Sequence, residues 1–94
     1  MKFFTQSLNK MANNIIVVDV RTAEEFVGGH VAGSINIPLQ EVVSRAEEIM
    51  NLPQPIIFCC VSGNRSGQAM HYFRSLGVDC ENGGSWLEVK AQLK

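Results

Sequence analysis

An apolar strand leads into a polar loop at Ile56-Ile57-Phe58-Cys59-Cys60-Val61-Ser62-Gly63-Asn64-Arg65-Ser66. Residues 68–76 follow with the spacing of a helix, so Cys60 is predicted to lie where a buried strand ends and a helix is about to begin. The first turn of a helix offers unpaired N–H groups and the positive end of the helix dipole, which together lower the pKa of a thiol. Because Gly63 permits a tight turn, several N–H groups can point inward. The segment therefore predicts a loop that holds a reactive thiolate, or a group carried on that thiolate.

Apolar runs alternate with helical patterns on both sides of this loop. Strands are predicted at residues 15–18, 34–37, 56–60 and 78–81. Helices are predicted to start at the capping box Thr22-Ala23-Glu24-Glu25, at Leu39, after the loop, and at the capping box Ser85-Trp86-Leu87-Glu88. Gly83-Gly84 is interpreted as the turn before the last helix. The order β-α-β-α-β-α-β-α predicts an α/β protein whose parallel sheet is flanked by helices.

Three of these helices carry an apolar stripe that we expect to face the core. The stripe of the helix from Leu39 consists of Val42, Val43, Ala46, Ile49 and Met50. The helix after the loop presents Ala69, Met70, Phe73 and Leu76, and the last helix presents Trp86, Val89 and Leu93.

Polar and reactive side chains gather at the carboxyl ends of the predicted strands. Cys60 ends the third strand, Asp19 and Arg21 follow the first, and Gly83-Gly84 follows the last. Ligands of open parallel sheets bind beyond the carboxyl ends of the strands. The sequence therefore predicts one site at this edge, with Cys60 at its centre. Asp19 and Arg21 fit two interpretations, support of that site or a pair on the surface.

Composition and charge exclude several classes of protein. The chain has 94 residues, a hydrophobic fraction of 46% and a formal net charge of −1, which predict one globular domain over residues 1–94. The charges are mixed, without the basic stripe that nucleic-acid binding requires, and no apolar run approaches the ~20 residues of a membrane span. Residues 1–7 lack the apolar core of a signal peptide, and three cysteines do not make a disulfide framework. We therefore expect a cytoplasmic monomer that binds neither nucleic acid nor a membrane.

Four motifs follow one another in a characteristic order. They are Val18-Asp19-Val20-Arg21 with Glu25-Phe26, Gly29-His30-Val31-Ala32-Gly33-Ser34-Ile35-Asn36-Ile37-Pro38, Cys60-Val61-Ser62-Gly63-Asn64-Arg65-Ser66, and Gly83-Gly84 with Trp86. From about Ile15 to Trp86 the chain thereby resembles the single-domain rhodanese family, the thiosulfate sulfurtransferase-like proteins. This resemblance implies a three-layer α/β/α fold with a four- or five-stranded parallel sheet. Nothing in the sequence implies a cofactor.

The resemblance also implies a role for each matching position. Cys60 would accept a sulfane sulfur and become a persulfide. The outer sulfur would be surrounded by the backbone of the residues that follow, Val61, Ser62, Gly63, Asn64, Arg65 and Ser66. Arg65 would brace the loop and attract an anionic donor such as thiosulfate, and Asp19 and Arg21 would order the floor of the site. Gly33 and Pro38 would shape the backbone.

The chain departs from the family pattern at three places. Cys59 stands where an aromatic residue is common, and Val61 stands where a basic residue is common. With fewer cations at the mouth of the site, efficient use of thiosulfate is less expected. The first edge strand of the family would have to come from Met1–Phe4, or be absent.

Three functions are compatible with a thiolate in such a loop. The first is sulfur transfer in two steps through a covalent persulfide, which needs a low-pKa cysteine and N–H donors but no general base. The second is a persulfide carrier or interaction module that acts on a thiol or persulfide protein. The third, a cysteine phosphatase or arsenate reductase, is disfavoured because those enzymes place five residues between cysteine and arginine, whereas four separate Cys60 from Arg65 here.

The other cysteines and the histidines are interpreted as structural. Cys59 points to the opposite strand face from Cys60 and is predicted to be core, as is Cys80. A strained Cys59–Cys60 disulfide and a resolving role for Cys80 are the alternatives. His30 is predicted to be hydrogen-bonded in a turn and His71 to be solvated. Because no cysteine–histidine spacing is zinc-like, no metal is predicted.

Overall fold

The computed structural model describes residues 15–93. Its strands are β1 (Ile16–Asp19), β2 (Ile35–Asn36), β3 (Ile56–Cys60) and β4 (Cys80–Ser85). Its α-helices are α1 (Ala23–Val27), α2 (Ala46–Met50), α3 (Asn64–Ser75) and α4 (Trp86–Gln92), and a 3₁₀ turn spans Leu39–Glu41. None of these helices is long and apolar enough to cross a membrane. The alternation of strands and helices is the order that the sequence predicts.

The four strands form one parallel sheet in the order β2-β1-β3-β4. The central pair aligns Val18 with Phe58 and Asp19 with Cys59, so β1 and β3 end together. Helices flank this sheet, which confirms the predicted α/β class with a parallel sheet. The edge strand that the resemblance places at Met1–Phe4 lies outside the described residues.

Strand β3 is buried on both faces, and its side chains alternate between two apolar clusters. Ile56, Phe58 and Cys60 belong to the larger cluster, where the Phe58 ring stacks on Phe73 of α3 at 5.5 Å between centroids. Ile57 and Cys59 belong to the smaller cluster, with Val89 and Trp86 of α4. Cys59 and Cys60 therefore face opposite sides of the sheet, as predicted from their adjacency on a strand.

The helix predicted from Leu39 onward is wrong in its extent. The chain makes a 3₁₀ turn at Leu39–Glu41, and Arg45, with φ −110° and ψ 22°, leaves the helical path before α2 begins. Because a 3₁₀ turn has fewer residues than an α-helical turn, the apolar residues do not all point in the direction that one continuous helix predicts. Val42 and Ile49 are buried, whereas Val43 is 64% exposed and Met50 is 38% exposed.

Two further boundaries differ from prediction. Helix α3 begins at Asn64, inside the predicted loop, and ends at Ser75, so that Leu76 is its C-cap and is exposed rather than buried. Strand β4 begins at Cys80 and includes Gly83-Gly84, which the sequence suggested was a turn. The register explains the longer strand: Asn82 lies opposite Phe58 and Gly84 opposite Cys59, so Gly83 is the additional residue of a bulge.

Candidate active site

The Cys60 sulfur lies at the carboxyl end of β3, enclosed by the loop that opens α3. Its side chain is 1% exposed. The Gly63 N–H donates to Sγ at 3.0 Å, and the Ser66 hydroxyl oxygen lies 3.3 Å from Sγ. Gly63 has φ 100°, the left-handed conformation that glycine adopts without strain. Gly63 and Ser66 of the predicted loop therefore lie within hydrogen-bond distance of the Cys60 sulfur.

The loop lowers the pKa of the Cys60 thiol although the sulfur is buried. Burial by itself raises the pKa, because it disfavours the thiolate. Hydrogen bonds from the Ser66 hydroxyl and from the backbone N–H groups of Ser66, Gly63 and Ser62 favour the thiolate and outweigh burial. The net direction is downward, as expected for a nucleophilic cysteine.

Asn82 on β4 holds this loop in place, and sequence reasoning missed it. Its Nδ2 donates to the Gly63 carbonyl at 3.0 Å, while its Oδ1 accepts from the Gly84 N–H at 2.9 Å and from the Ser66 hydroxyl at 2.6 Å. Since the two ends of the amide have partners of opposite character, the network fixes its orientation. In the sequence, Asn82 is marked by its position two residues before Gly84 in the last strand, and this signal is weak.

The Ser66 hydroxyl has one hydrogen and two neighbours that can accept it. In the neutral state the hydroxyl donates to Asn82 Oδ1, which carries no hydrogen, and the Cys60 S–H donates to Ser66 Oγ. In the thiolate state the hydroxyl can turn its hydrogen to the sulfur, since the Gly84 N–H still satisfies Asn82 Oδ1. Ser66 therefore serves both protonation states of Cys60.

Close backbone packing sets the distance between the loop and β4. A Cβ added at Gly63 would lie 3.2 Å from the Gly84 Cα. Gly84 itself has φ 79°, and a Cβ there would lie 3.0 Å from Glu88 Oε1. The two glycines let the loop approach the bulge of β4, where Asn82 reaches both Gly63 and Ser66.

Asp19 and Arg21 form a buried pair, so the interpretation as a surface pair is wrong. The Arg21 guanidinium donates from Nε and Nη2 to the Asp19 carboxylate, with the closest contact at 2.7 Å. It also donates to the Glu25 and Gly29 carbonyls and lies 4.7 Å from the Trp86 ring centroid. The pair joins the end of β1 to α1 and α4.

The sheet separates this pair from the Cys60 sulfur. Asp19 points to the same face as Val17 and Cys59, whereas Cys60 faces the other cluster. Burial, and after it the nearby Asp19 charge, raise the pKa of Cys59 to about 12. The structure therefore places Asp19 and Arg21 in the framework behind the site rather than against Cys60.

Arg65 leaves the loop and reaches α1. Its guanidinium pairs with both oxygens of the Glu25 carboxylate, at 2.9 Å and 3.2 Å. Glu25 also completes the capping box of α1 by accepting from the Thr22 N–H. The ion pair with Arg65 and the Thr22 N–H lower the pKa of Glu25 to about 2. The ion pair thus joins the first turn of α3 to the capping box of α1.

A pocket of about 210 Å³ opens beside Arg65. It is lined by Val20, Thr22, Pro38, Leu39, Gln40 and Arg65. Val20 follows Asp19, the partner of Cys59 in the sheet, and shares the cluster of Cys60. The pocket therefore shares Arg65 with the loop that follows Cys60, and one of its lining residues, Val20, belongs to the same apolar cluster as Cys60.

The other cysteines have no access to Cys60. All three cysteines are free and buried. Cys80 lies opposite Ile56, at the far end of β3 from Cys60, so the resolving role suggested as an alternative does not fit the fold. Burial raises the pKa of Cys80 to about 11. Cys59 and Cys80 are thus core side chains, as predicted.

The histidines lie in the environments that the sequence predicts. His30 Nδ1 is 2.8 Å from the Phe26 carbonyl oxygen, and its ring stacks on Phe26 at 3.8 Å. His71 is exposed on α3. Within residues 15–93, no three histidine, cysteine, aspartate or glutamate side chains come together as a metal site would require.

The chain is similar in sequence to known proteins. Residues 5–90 match the Rhodanese-like domain family. The chain is 35% identical over 74 residues to the thiosulfate sulfurtransferase PspE of Escherichia coli K12, covering 77% of this chain and 71% of PspE. It is 39% identical over 61 residues to the putative sulfur carrier protein YrkF of Bacillus subtilis 168, covering 65% of this chain and 32% of YrkF.

A solved structure extends the similarity to three dimensions. The chain resembles a rhodanese with anions from E. coli at a TM-score of 0.71 and 33% identity, over 79% of this chain and 89% of the other. Several curated relatives are longer proteins, of which the matched segment spans half or less.

Proposed function

The chain belongs to the rhodanese-like domain family, and from that premise we propose that it transfers sulfane sulfur through a persulfide on Cys60. The observation that carries the proposal is the buried Cys60 sulfur with the Gly63 N–H at 3.0 Å and a lowered thiol pKa. A persulfide anion needs the same hydrogen bonds as a thiolate, but it needs them at its outer sulfur, one atom beyond the Cys60 sulfur. N–H groups fixed by a loop provide them without reorganisation.

The first step loads Cys60. The thiolate attacks the outer sulfur of a donor; a sulfur–sulfur bond forms to Cys60, and the donor's own bond to that sulfur breaks. With thiosulfate, the electron pair of the broken bond leaves on sulfite. The charges balance, because one thiolate and one dianion become one persulfide anion and one dianion. No proton moves when Cys60 is already ionised, so the loop needs no general base.

The second step unloads Cys60. A thiophilic acceptor, cyanide or a thiolate, attacks the outer sulfur and forms a new bond to it, while the Cys60 thiolate is released as the leaving group. With cyanide the product is thiocyanate. A low thiol pKa assists this step too, because a weaker base leaves faster.

A carrier function is the second candidate, and one observation favours it. Val61, directly after Cys60, is 51% exposed, so the rim of the site offers an apolar side chain where a cation would serve an inorganic anion. YrkF, a relative, is itself described as a putative sulfur carrier. A carrier would accept sulfur at Cys60 from a persulfide protein but turn over poorly with thiosulfate and cyanide. The oxyanion enzymes are not favoured, because Arg65 is paired with Glu25.

Intact-protein mass tests the proposal. The reduced protein is mixed with thiosulfate, and a gain of about 32 Da, one sulfur atom, is expected and should be removed by cyanide. Cys60→Ser should show no gain, while Cys59→Ser, a change in the neighbouring buried thiol, should retain it. A gain that persists in Cys60→Ser would refute the assignment. Loading without cyanide turnover would identify the carrier.

A further inference from the structure

We propose that the site prefers sulfur donors with a single negative charge and an apolar organic group over doubly charged thiosulfate. This inference rests on the proposed function and names the substrate class of the same site. Two independent features support it. The first is the pairing of Arg65 with Glu25, and the second is the apolar pocket beside Arg65.

The mouth of the site has little net positive charge. Arg65, the cation of the loop, shares its guanidinium with both carboxylate oxygens of Glu25. Arg21 is committed to buried Asp19, on the other face of the sheet. Within the part of the chain that the structure describes, Arg45 and Arg74 are paired with glutamates away from the loop, and Lys90 lies over Trp86.

This arrangement disfavours a dianion. A donor must approach the Cys60 thiolate, so a doubly charged donor meets the thiolate and Glu25 as like charges, with Arg65 as the opposing charge. A singly charged donor suffers about half of that repulsion. Val61, which is 51% exposed beside Cys60, adds no compensating charge.

The pocket favours a donor that carries an organic group. Its apolar lining comes from Val20, Pro38 and Leu39, and its volume is about 210 Å³. An apolar cavity of about 150 Å³ is enough to hold benzene. Arg65 lines the same pocket as Leu39, so the organic group of a donor that lies beside Arg65 can pack against Leu39.

Three donors with one reactive unit test the inference. Thiosulfate, methanethiosulfonate and benzenethiosulfonate all transfer the outer sulfur of an SO₂–S⁻ unit and release sulfite or a sulfinate. They differ in charge and in organic group. We would measure kcat/KM with saturating cyanide, as thiocyanate formed, and divide each value by the rate constant of a free small thiol with the same donor. The normalised order expected is benzenethiosulfonate, then methanethiosulfonate, then thiosulfate, with about tenfold between the two organic donors.

Glu25→Gln isolates the charge. Glutamine keeps the capping box of α1, so the helix is retained. The ratio of the normalised kcat/KM with thiosulfate to that with methanethiosulfonate should rise about three- to fivefold, because a factor of this size corresponds to the free energy of an exposed ion pair. Glu24→Gln is the matched control, since it makes the same change of net charge on the same helix, away from Arg65; it should leave the ratio unchanged.

Leu39→Ala tests the contribution of the pocket separately from that of the Glu25 charge. The ratio of the normalised kcat/KM with benzenethiosulfonate to that with methanethiosulfonate should fall about fivefold. Leu76→Ala, a substitution of an exposed leucine at the end of α3, is the control. Circular dichroism of each variant reports whether the fold is retained, and Leu39→Val replaces Leu39→Ala if the latter is unfolded.

The outcomes separate the two proposals. Thiosulfate as the preferred donor after normalisation, or ratios that Glu25→Gln and Leu39→Ala leave unchanged, would overturn the inference and leave Cys60 sulfur transfer intact. If the wild-type protein takes sulfur from none of the three donors, the proposed transfer from small donors and the inference both fail, and the carrier, which needs a persulfide protein as donor, is the alternative.

Discussion

The reactivity proposed for Cys60 depends on the loop residues that surround its sulfur, and Ser66 is the side chain among them that can be removed most cleanly. In Ser66→Ala the Cys60 thiolate loses the hydroxyl at 3.3 Å but retains the Gly63 N–H. The pKa of Cys60 should therefore rise, because the hydroxyl is the foremost group that offsets burial. The measurement is the rate of iodoacetamide alkylation against pH, whose midpoint should move to higher pH.

The pH profile can be assigned to Cys60 with little interference. Cys59 and Cys80 have raised pKa values and are buried. Glu25, with a pKa of about 2, stays ionised through the range in which the thiol titrates. Ser62→Ala, which removes an exposed hydroxyl of the same loop, should leave the midpoint in place. An equal midpoint in wild type and Ser66→Ala would show that backbone N–H groups alone set the pKa.

At the scale of elements, the strands and helices could be predicted where the apolar pattern is strong. The continuous run Ile56–Cys60 and the two capping boxes that begin α1 and α4 are such cases. The helix from Leu39 could not be predicted, since a 3₁₀ turn and an α-helix share nearly the same apolar spacing over a few residues. The sequence predicts a turn at Gly83-Gly84 where the structure has a bulge, because a glycine pair is equally compatible with both.

In the candidate site, too, local features could be predicted from the sequence and contacts between distant residues could not. Cys60 and its loop are contiguous in the sequence, so their spacing carries the signal. Asn82 is 16 residues from Ser66 and meets it only because a bulge sets the register of β4 against β3. Likewise the pairing of Arg65 with Glu25 spans 40 residues, and no local pattern specifies it. Contacts between elements therefore required the structure.

Asn82 joins the loop of α3 to β4, and its removal tests that junction. In Asn82→Ala the Gly63 carbonyl and the Gly84 N–H lose their amide partner. We expect a loss of about 1–3 kcal/mol in the free energy of unfolding, the cost of leaving partly buried polar groups unsatisfied. Urea denaturation measures it. Asn64→Ala, which removes an exposed amide bonded to Gln68, should cost less than about 0.5 kcal/mol. Equal effects of the two substitutions would contradict the role of Asn82.

At the scale of the molecule, two apolar clusters and one buried ion pair hold the layers together. The larger cluster joins α2 and α3 to the sheet, and the smaller joins α4 to the other face. The mouth of the site is formed where these layers meet at the carboxyl ends of β1 and β3. Asp19 and Arg21 connect this mouth to the sheet face opposite the Cys60 sulfur, since Arg21 contacts α1, Gly29 and Trp86 together.

Arg21→Met tests how strongly the fold depends on this pair. Methionine fills much of the same volume but leaves the Asp19 carboxylate, 0% exposed, without its cation. The free energy of unfolding should fall by about 3–5 kcal/mol, the cost of breaking a buried ion pair from one side. Urea denaturation monitored by Trp86 fluorescence measures it. The double variant Asp19→Asn/Arg21→Met should recover part of the loss, because no unpaired charge then remains buried. A single variant as stable as wild type, or a double variant with the summed cost of both changes, would show that Asp19 and Arg21 stabilise the sheet independently of each other.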